Sequence, residues 1–135
     1  MSELKLIAVR TRAAVICISE TWLDSWVNDA EIHLDNYSVV RRDRDRHGGG
    51  VCCYIRNDFA FSIRNDLNVL NDEFVFIELL LPKTKPILVG TFYRPPKQSI
   101  FFEHLEQILT NLRSDCETYL LGDANICFKQ KSSSL

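Results

Sequence analysis

Two apolar runs, residues 74–81 (FVFIELLL) and 87–92 (ILVGTF), flank a polar loop bounded by Pro82 and Pro86. Runs of this length, rich in branched and aromatic side chains, read as strands, and a short loop makes them a hairpin. A sheet is therefore the frame to which the rest of the chain must attach. Residues 37–42 (YSVVRR) and 51–56 (VCCYIR) read as a second hairpin around a tip that ends in Gly48, Gly49 and Gly50. Consecutive glycines lift the φ restriction and let a neighbouring backbone or ligand approach closely. Residues 13–19 (AAVICIS) and the run Tyr119-Leu120-Leu121 read as buried strands. Residues 60–64 alternate briefly, and Ile32 with Leu34 gives the start of another strand.

Helical periods fill the gaps. Ser2 caps a first helix with Leu4, Ile7 and Ala8 as its apolar stripe and Arg10 and Arg12 at its C-terminal end. Ser99 caps a second, in which Phe101, Phe102, Leu105, Ile108, Leu109 and Leu112 form a broad core-facing stripe. Glu103 and Arg113 suit the dipole of that helix.

At 135 residues, this content fits one domain over residues 1–128, followed by a polar tail, 129–135, expected to be disordered. Hydrophobic and charged shares of 46% and 25% are those of a soluble globular chain. A net charge of -2 gives no global attraction to polyanions, so any such site must be local. The start lacks the apolar core of a signal peptide, and no run is long enough to cross a bilayer. The expected location is intracellular, nuclear or cytoplasmic, with no membrane contact and no secretion. The five cysteines include no Cys-x-x-Cys pair, and the three histidines are scattered. All five cysteines are expected to be reduced, with Cys52 and Cys53 pointing to opposite faces of their strand.

Three apolar strands end in chemistry-bearing side chains: Glu20 after the first, Tyr93 after the 87–92 run, and Asp123 with Asn125 after the last. Neighbouring strands of α/β proteins deliver side chains to one end of a sheet. A carboxylate there can ligate Mg²⁺, a hard ion that prefers oxygen ligands and retains waters. A second carboxylate can orient or deprotonate an attacking water, while an amide and a phenol stabilise the oxygens of a reacting phosphate. Singly, each has a commoner bland reading: a solvated glutamate, a half-buried packing tyrosine, a turn Asp and Asn.

Four segments occur in a fixed order: Ile18-Ser19-Glu20-Thr21-Trp22-Leu23, the hairpin tip from Asp43-Arg44 to Gly48-Gly49-Gly50-Val51, Phe92-Tyr93-Arg94-Pro95-Pro96, and Gly122-Asp123-Ala124-Asn125. Together they resemble the endonuclease/exonuclease/phosphatase family, and within it the endonuclease domains of non-LTR (LINE-type) retrotransposons, relatives of the apurinic/apyrimidinic endonucleases. The resemblance covers nearly the whole chain. It implies an α/β sandwich of two mixed β-sheets with outer helices (deoxyribonuclease-I-like). It also implies Mg²⁺- or Mn²⁺-dependent hydrolysis of a DNA phosphodiester. By the same resemblance, Glu20 matches the metal-ligand glutamate, Tyr93 the tyrosine on the scissile phosphate, Asp123 the aspartate that directs water, and Asn125 the asparagine beside both. Arg44 and Arg94 are the expected substrate contacts. Ala124 departs from the family's usual Gly-Asp-Phe-Asn without altering either reactive group.

Two family elements have no counterpart here: a first strand carrying an asparagine, and a C-terminal half with a Ser-Asp-His motif. His33, His47 and His104 lie in the wrong segments to replace that histidine. The expectation is an incomplete sandwich with an exposed apolar face and unpaired edges, its activity impaired, from a longer reading frame that carries a reverse transcriptase. The alternative is a non-catalytic remnant that binds nucleic acid through Arg41, Arg42, Arg44, Arg46 and Arg94. A small phosphoester substrate is a third reading, disfavoured by the Tyr-Arg-Pro-Pro segment.

Overall fold

The computed structural model describes residues 2–68, 70, 72–112 and 116–126. In chain order the elements are α1 (Ser2–Thr11), β1 (Val15–Ser19), β2 (Tyr37–Arg42), β3 (Val51–Arg56), β4 (Ala60–Ile63), β5 (Phe74–Leu80), β6 (Ile87–Tyr93), α2 (Ile100–Asn111) and β7 (Glu117–Asp123). They form two sheets, ordered β1-β3-β2 and β4-β5-β6-β7. Every pairing is antiparallel except β6 with β7, which run parallel because α2 carries the chain back over the sheet.

The pleat sorts the core into layers. Val51, Cys53 and Ile55 of β3 face Val75, Ile77 and Leu79 of β5 and Val89 and Tyr93 of β6 between the sheets. The opposite face of β3, with Cys52 and Tyr54, packs on Leu34, Tyr37 and Ala8 of α1. The opposite face of β5, with Phe74 and Phe76, packs on Phe101 and Ile108 of α2. Phe74 and Phe101 stack with ring centroids 5.1 Å apart. The architecture is a helix–sheet–sheet–helix sandwich with β3 and β5 buried on both sides, which is why both read as continuous apolar runs.

Cys52 and Cys53 point to opposite faces as expected. Cys17, Cys52, Cys53 and Cys116 are free thiols. Burial pushes the Cys52 thiol up to about 12, and pushes Cys53 up as well, so both stay protonated.

Several expectations give way. Strands β1 and β7 are only half-buried, with Tyr119 48% and Leu121 47% exposed. Among the described residues each is hydrogen-bonded to a strand on one side only. Their inward faces meet across an open groove of about 560 Å³ lined by Val15, Cys17, Val89, Thr91 and Leu121. These are the unpaired edges and uncovered apolar face expected of an incomplete sandwich. The Ile32 segment is a 3-10 turn (Asp29–Ile32) and not a strand start. Its alternation with Leu34 arises because both side chains are buried from a turn. Ile7 of α1 is 50% exposed, and on α2 Phe102 and Leu109 point outward, which leaves a stripe centred on Phe101 and Ile108. Ser99 occupies the N-cap position of α2 but makes no side-chain capping bond, because its own backbone is already helical (φ -75, ψ -35). Arg113, Cys127 and the 129–135 tail lie outside the described residues.

Candidate active site

The site lies where β1, β6 and β7 end beside the glycine-rich tip that leads into β3. Beyond Ser19 the chain stays alongside that tip: Thr21 N donates to Gly50 O at 3.3 Å and Trp22 N to Gly49 O at 3.0 Å. Glu20 lies between the end of β1 and these bonds and takes a left-handed φ of 54°. Gly49 (φ +68°) and Gly50 (φ +82°) are required here. A Cβ on Gly49 would lie 2.4 Å from Glu73 Oε1 and 2.7 Å from the Arg44 guanidinium, and one on Gly50 2.5 Å from Thr21 Oγ1. Thr21 Oγ1 is buried without a hydrogen-bond partner.

Glu73 and Arg44 complete this wall. Gly50 N donates to Glu73 Oε1 at 2.5 Å, and Arg44 Nε donates to Gly48 O at 3.0 Å. The Arg44 guanidinium lies 3.6 Å from Glu73 Oε2 and 5.7 Å from the centre of the Tyr93 ring. It remains 39% exposed, so one face is open to a ligand.

The opposite wall comes from the parallel pair β6 and β7, whose register sets Tyr93 against Asp123. Arg94 N extends the ladder to Asp123 O at 2.8 Å. Asp123 Oδ1 accepts from Asn125 N at 2.8 Å, closing a side-chain turn that tips Asn125 into a left-handed φ of 47°. Asn125 Nδ2 donates back to Arg94 O at 2.6 Å. The Arg94 guanidinium donates to the carbonyls of Ala124 (3.0 Å), Asn125 (3.2 Å) and Gln98 (2.8 Å) and lies 4.7 Å from the centre of the Phe102 ring. Gly122 is needed because a Cβ there would sit 2.0 Å from Phe92 O.

Tyr93 joins the walls. Its ring is buried, and its hydroxyl faces Glu20 and Asn125. Burial raises the phenol above its ordinary pKa, the Glu20 contact raises it further, and Asn125 and Arg44 pull only partly the other way. Tyr93 is thus a protonated donor at neutral pH. Backbone strain gathers here too, with Glu20, Trp22 and Asn125 all left-handed.

Glu20, Tyr93, Asp123 and Asn125 therefore meet at one place, Arg44 faces them, and Arg94 underlies the Asn125 turn. Arg41 does not join. Its guanidinium binds Asp43, Asp29 and the carbonyls of Asp24 and Val27 and is only 13% exposed, so its donors are spent within the protein. The histidines are engaged elsewhere: His33 pairs with Asp35, His47 N donates to Asp45 Oδ1, and His104 of α2 pairs with the buried Asp72. Glu73 escaped the motif reading. In an antiparallel hairpin the residue before the first strand lies beside the end of the second, and Tyr93 N does donate to Glu73 O at 3.1 Å. That arithmetic was available in the sequence.

The donors gathered here are oxygens of the hard type that suits Mg²⁺ or Mn²⁺. Among the described residues no three His, Cys, Asp or Glu side chains converge as a cage. Such a set could hold an ion through one or two carboxylates, with waters and phosphate oxygens completing its shell.

The profile of the Endonuclease/Exonuclease/phosphatase family matches residues 2–128, so the chain belongs to that family. Among solved structures the chain is similar to one described as the endonuclease domain of TRAS1, a telomere-specific non-LTR retrotransposon. The TM-score is 0.67 at 17% identity over 92% of this chain and 52% of that one, so this chain spans about half the length of its structural relative. No curated protein matches the sequence. The shared fold is the deoxyribonuclease-I-like sandwich. Among the described residues no helix is long and apolar enough to cross a membrane.

Proposed function

We propose that the chain carries a metal-dependent phosphodiesterase site for DNA, of the retrotransposon endonuclease type. The observation that carries this reading is the convergence of Tyr93 with Glu20 and Asn125 opposite Asp123. In this reading Asp123 orients the attacking water and accepts its proton. Protonated Tyr93 and the Asn125 amide donate to the phosphate oxygens as charge builds on them. Arg44, 5.7 Å from the Tyr93 ring centre with an open face, neutralises the phosphate. Arg94 positions the turn that carries Asn125, and is the second proposed substrate contact. Glu20 would hold Mg²⁺ or Mn²⁺, which when bound supplies Lewis-acid stabilisation of the phosphoryl oxygens and the leaving group. A reverse transcriptase domain is the proposed partner in the parent polypeptide.

Relaxation of supercoiled plasmid tests the proposal. Nicking that needs Mg²⁺, stops with chelator and is lost in Glu20→Gln supports it. Nicking that survives both treatments contradicts it.

One observation favours a second reading. The open groove between β1 and β7 is what a binding remnant would show. That reading predicts salt-sensitive DNA binding with no Mg²⁺-dependent nicking.

A further inference from the structure

Both tryptophans of the chain, Trp22 and Trp26, stand on the loop that follows Glu20, and both face solvent at 55% and 87% exposure. Indoles are usually well buried, so two exposed together beside a site call for a reason. The loop beneath them is not loose. Arg41 uses its whole guanidinium on it and its supports: Val27 O at 2.7 Å, Asp24 O at 2.8 Å, Asp29 Oδ1 at 3.1 Å and Asp43 Oδ2 at 2.6 Å. Trp26 N donates to Asp24 Oδ1 at 2.9 Å, and Trp22 N is pinned to Gly49 O at 3.0 Å. Trp22 also holds a left-handed φ of 55°. A strained, fully clamped loop that spends none of this order on burying its indoles presents them outward.

The neighbouring surface identifies what they meet. Gly49, which fixes Trp22, also lies under Arg44, and Arg44 and Arg46 are exposed on that tip. Of the carboxylates on the loop and tip, Asp43 is paired with Arg41, while Asp24 and Asp45 accept from the backbone N–H groups of Trp26 and His47. Flat aromatic faces beside exposed cations are the two components of a surface that binds unpaired nucleic acid, one stacking on bases and the other following phosphates. Duplex DNA, whose bases are already stacked, offers nothing to the indoles.

We propose that Trp22 and Trp26 form a stacking platform for unpaired DNA bases flanking the phosphodiester at Glu20 and Tyr93. The site therefore prefers a strand that is single-stranded or locally opened. This inference rests on the DNA phosphodiesterase reading of the site and adds the form of the substrate.

Because the chain holds no tryptophan elsewhere, its emission reports this surface alone. The test titrates the whole chain, in chelator so that hydrolysis is silent, with a labelled oligo-dT, with a duplex of equal length, and with heparin, a polyanion without bases. Anisotropy of the labelled DNA reports binding, and tryptophan emission reports stacking. The expected result is quenching by oligo-dT, little change with heparin, and weaker duplex binding. Trp22→Ala and Trp26→Ala should each weaken oligo-dT binding about 10-fold, the scale of one lost base–aromatic stack. Trp22→Phe and Trp26→Phe should retain most of the affinity, which separates stacking from misfolding. Binding with unchanged emission, or equal quenching by heparin, overturns the platform and leaves the phosphodiesterase reading standing. No binding of any DNA overturns both. Emission that changes only with protein concentration assigns the indoles to a protein contact and overturns the platform.

Discussion

Tyr93 and Asp123 are register partners at the ends of parallel strands β6 and β7, and the backbone of Arg94 bonds to Asp123 O immediately beyond them. The separation of the phenol from the carboxylate is thereby set by a hydrogen-bonded ladder and not by loop conformation. Groups held this way arrive aligned, which is how a rigid scaffold lowers the entropic part of a barrier.

The phenol itself gives the first prediction. Tyr93→Phe keeps the buried ring and removes one donor, so nicking should fall roughly 100-fold with the fold intact. Because the folded protein raises the Tyr93 pKa above its ordinary 10.0, the fold favours the neutral phenol. The sign follows: that contribution is present below the unfolded value and lost as pH rises through the folded one. Thermal melts from about pH 8 to 11 should therefore show a smaller alkaline loss of stability in Tyr93→Phe than in the wild type. Equal losses would contradict the assignment.

Glu73 touches Gly50 and Arg44 but lies behind the reactive groups. It is a positioning residue. Glu73→Ala should lower cleavage about 10- to 100-fold through misplacement of the tip. Glu73→Gln, which still offers an oxygen to Gly50 N, should recover part of it. A variant whose melting point falls while its cleavage is unchanged would show that Glu73 serves stability alone.

At Gly122 the prediction concerns packing. An added methyl group meets Phe92 O at 2.0 Å, closer than any real contact, so β7 must shift away from β6. Gly122→Ala should destabilise the protein by about 1–3 kcal/mol, the usual cost of overpacking, and chemical denaturation measures it. A neutral effect would mean that the β6–β7 register at Phe92 and Gly122 is wrong.

Arg41→Ala would strip the largely buried carboxylate of Asp43 of its partner along with the Asp24 and Val27 carbonyls. A loss of about 3 kcal/mol is expected, as for breaking a buried ion pair from one side. Hydrogen exchange should speed up across residues 24–29 before it changes in β5. Uniform acceleration through the chain would instead place Arg41 in the global core.

The layers of this fold were legible because β3 and β5 are covered on both faces and their runs are almost wholly apolar, with Glu78 the interruption in β5. Strand β1 and the Tyr119-Leu120-Leu121 run of β7 are also apolar but half-exposed, and no local pattern can say whether a strand has a neighbour on its second edge. The positions of Glu20, Tyr93, Asp123 and Asn125 could be read as strand ends, and the structure brings them together. The partners of Arg41 and Arg94 could not be read, since each guanidinium reaches carbonyls distant in sequence. Its place in an arginine-rich segment made Arg41 a candidate nucleic-acid contact, whereas the geometry makes it a clamp.

The central claim is that Tyr93 and Asp123 act as one unit on one phosphodiester. A double-mutant cycle in single-turnover DNA cleavage, using wild type, Tyr93→Phe, Asp123→Asn and the double variant, tests it most directly. Residues that act as a unit are strongly non-additive, so the double variant should cleave at about the rate of the slower single variant. Losses that multiply, or four proteins that cleave at the same rate, would contradict the account.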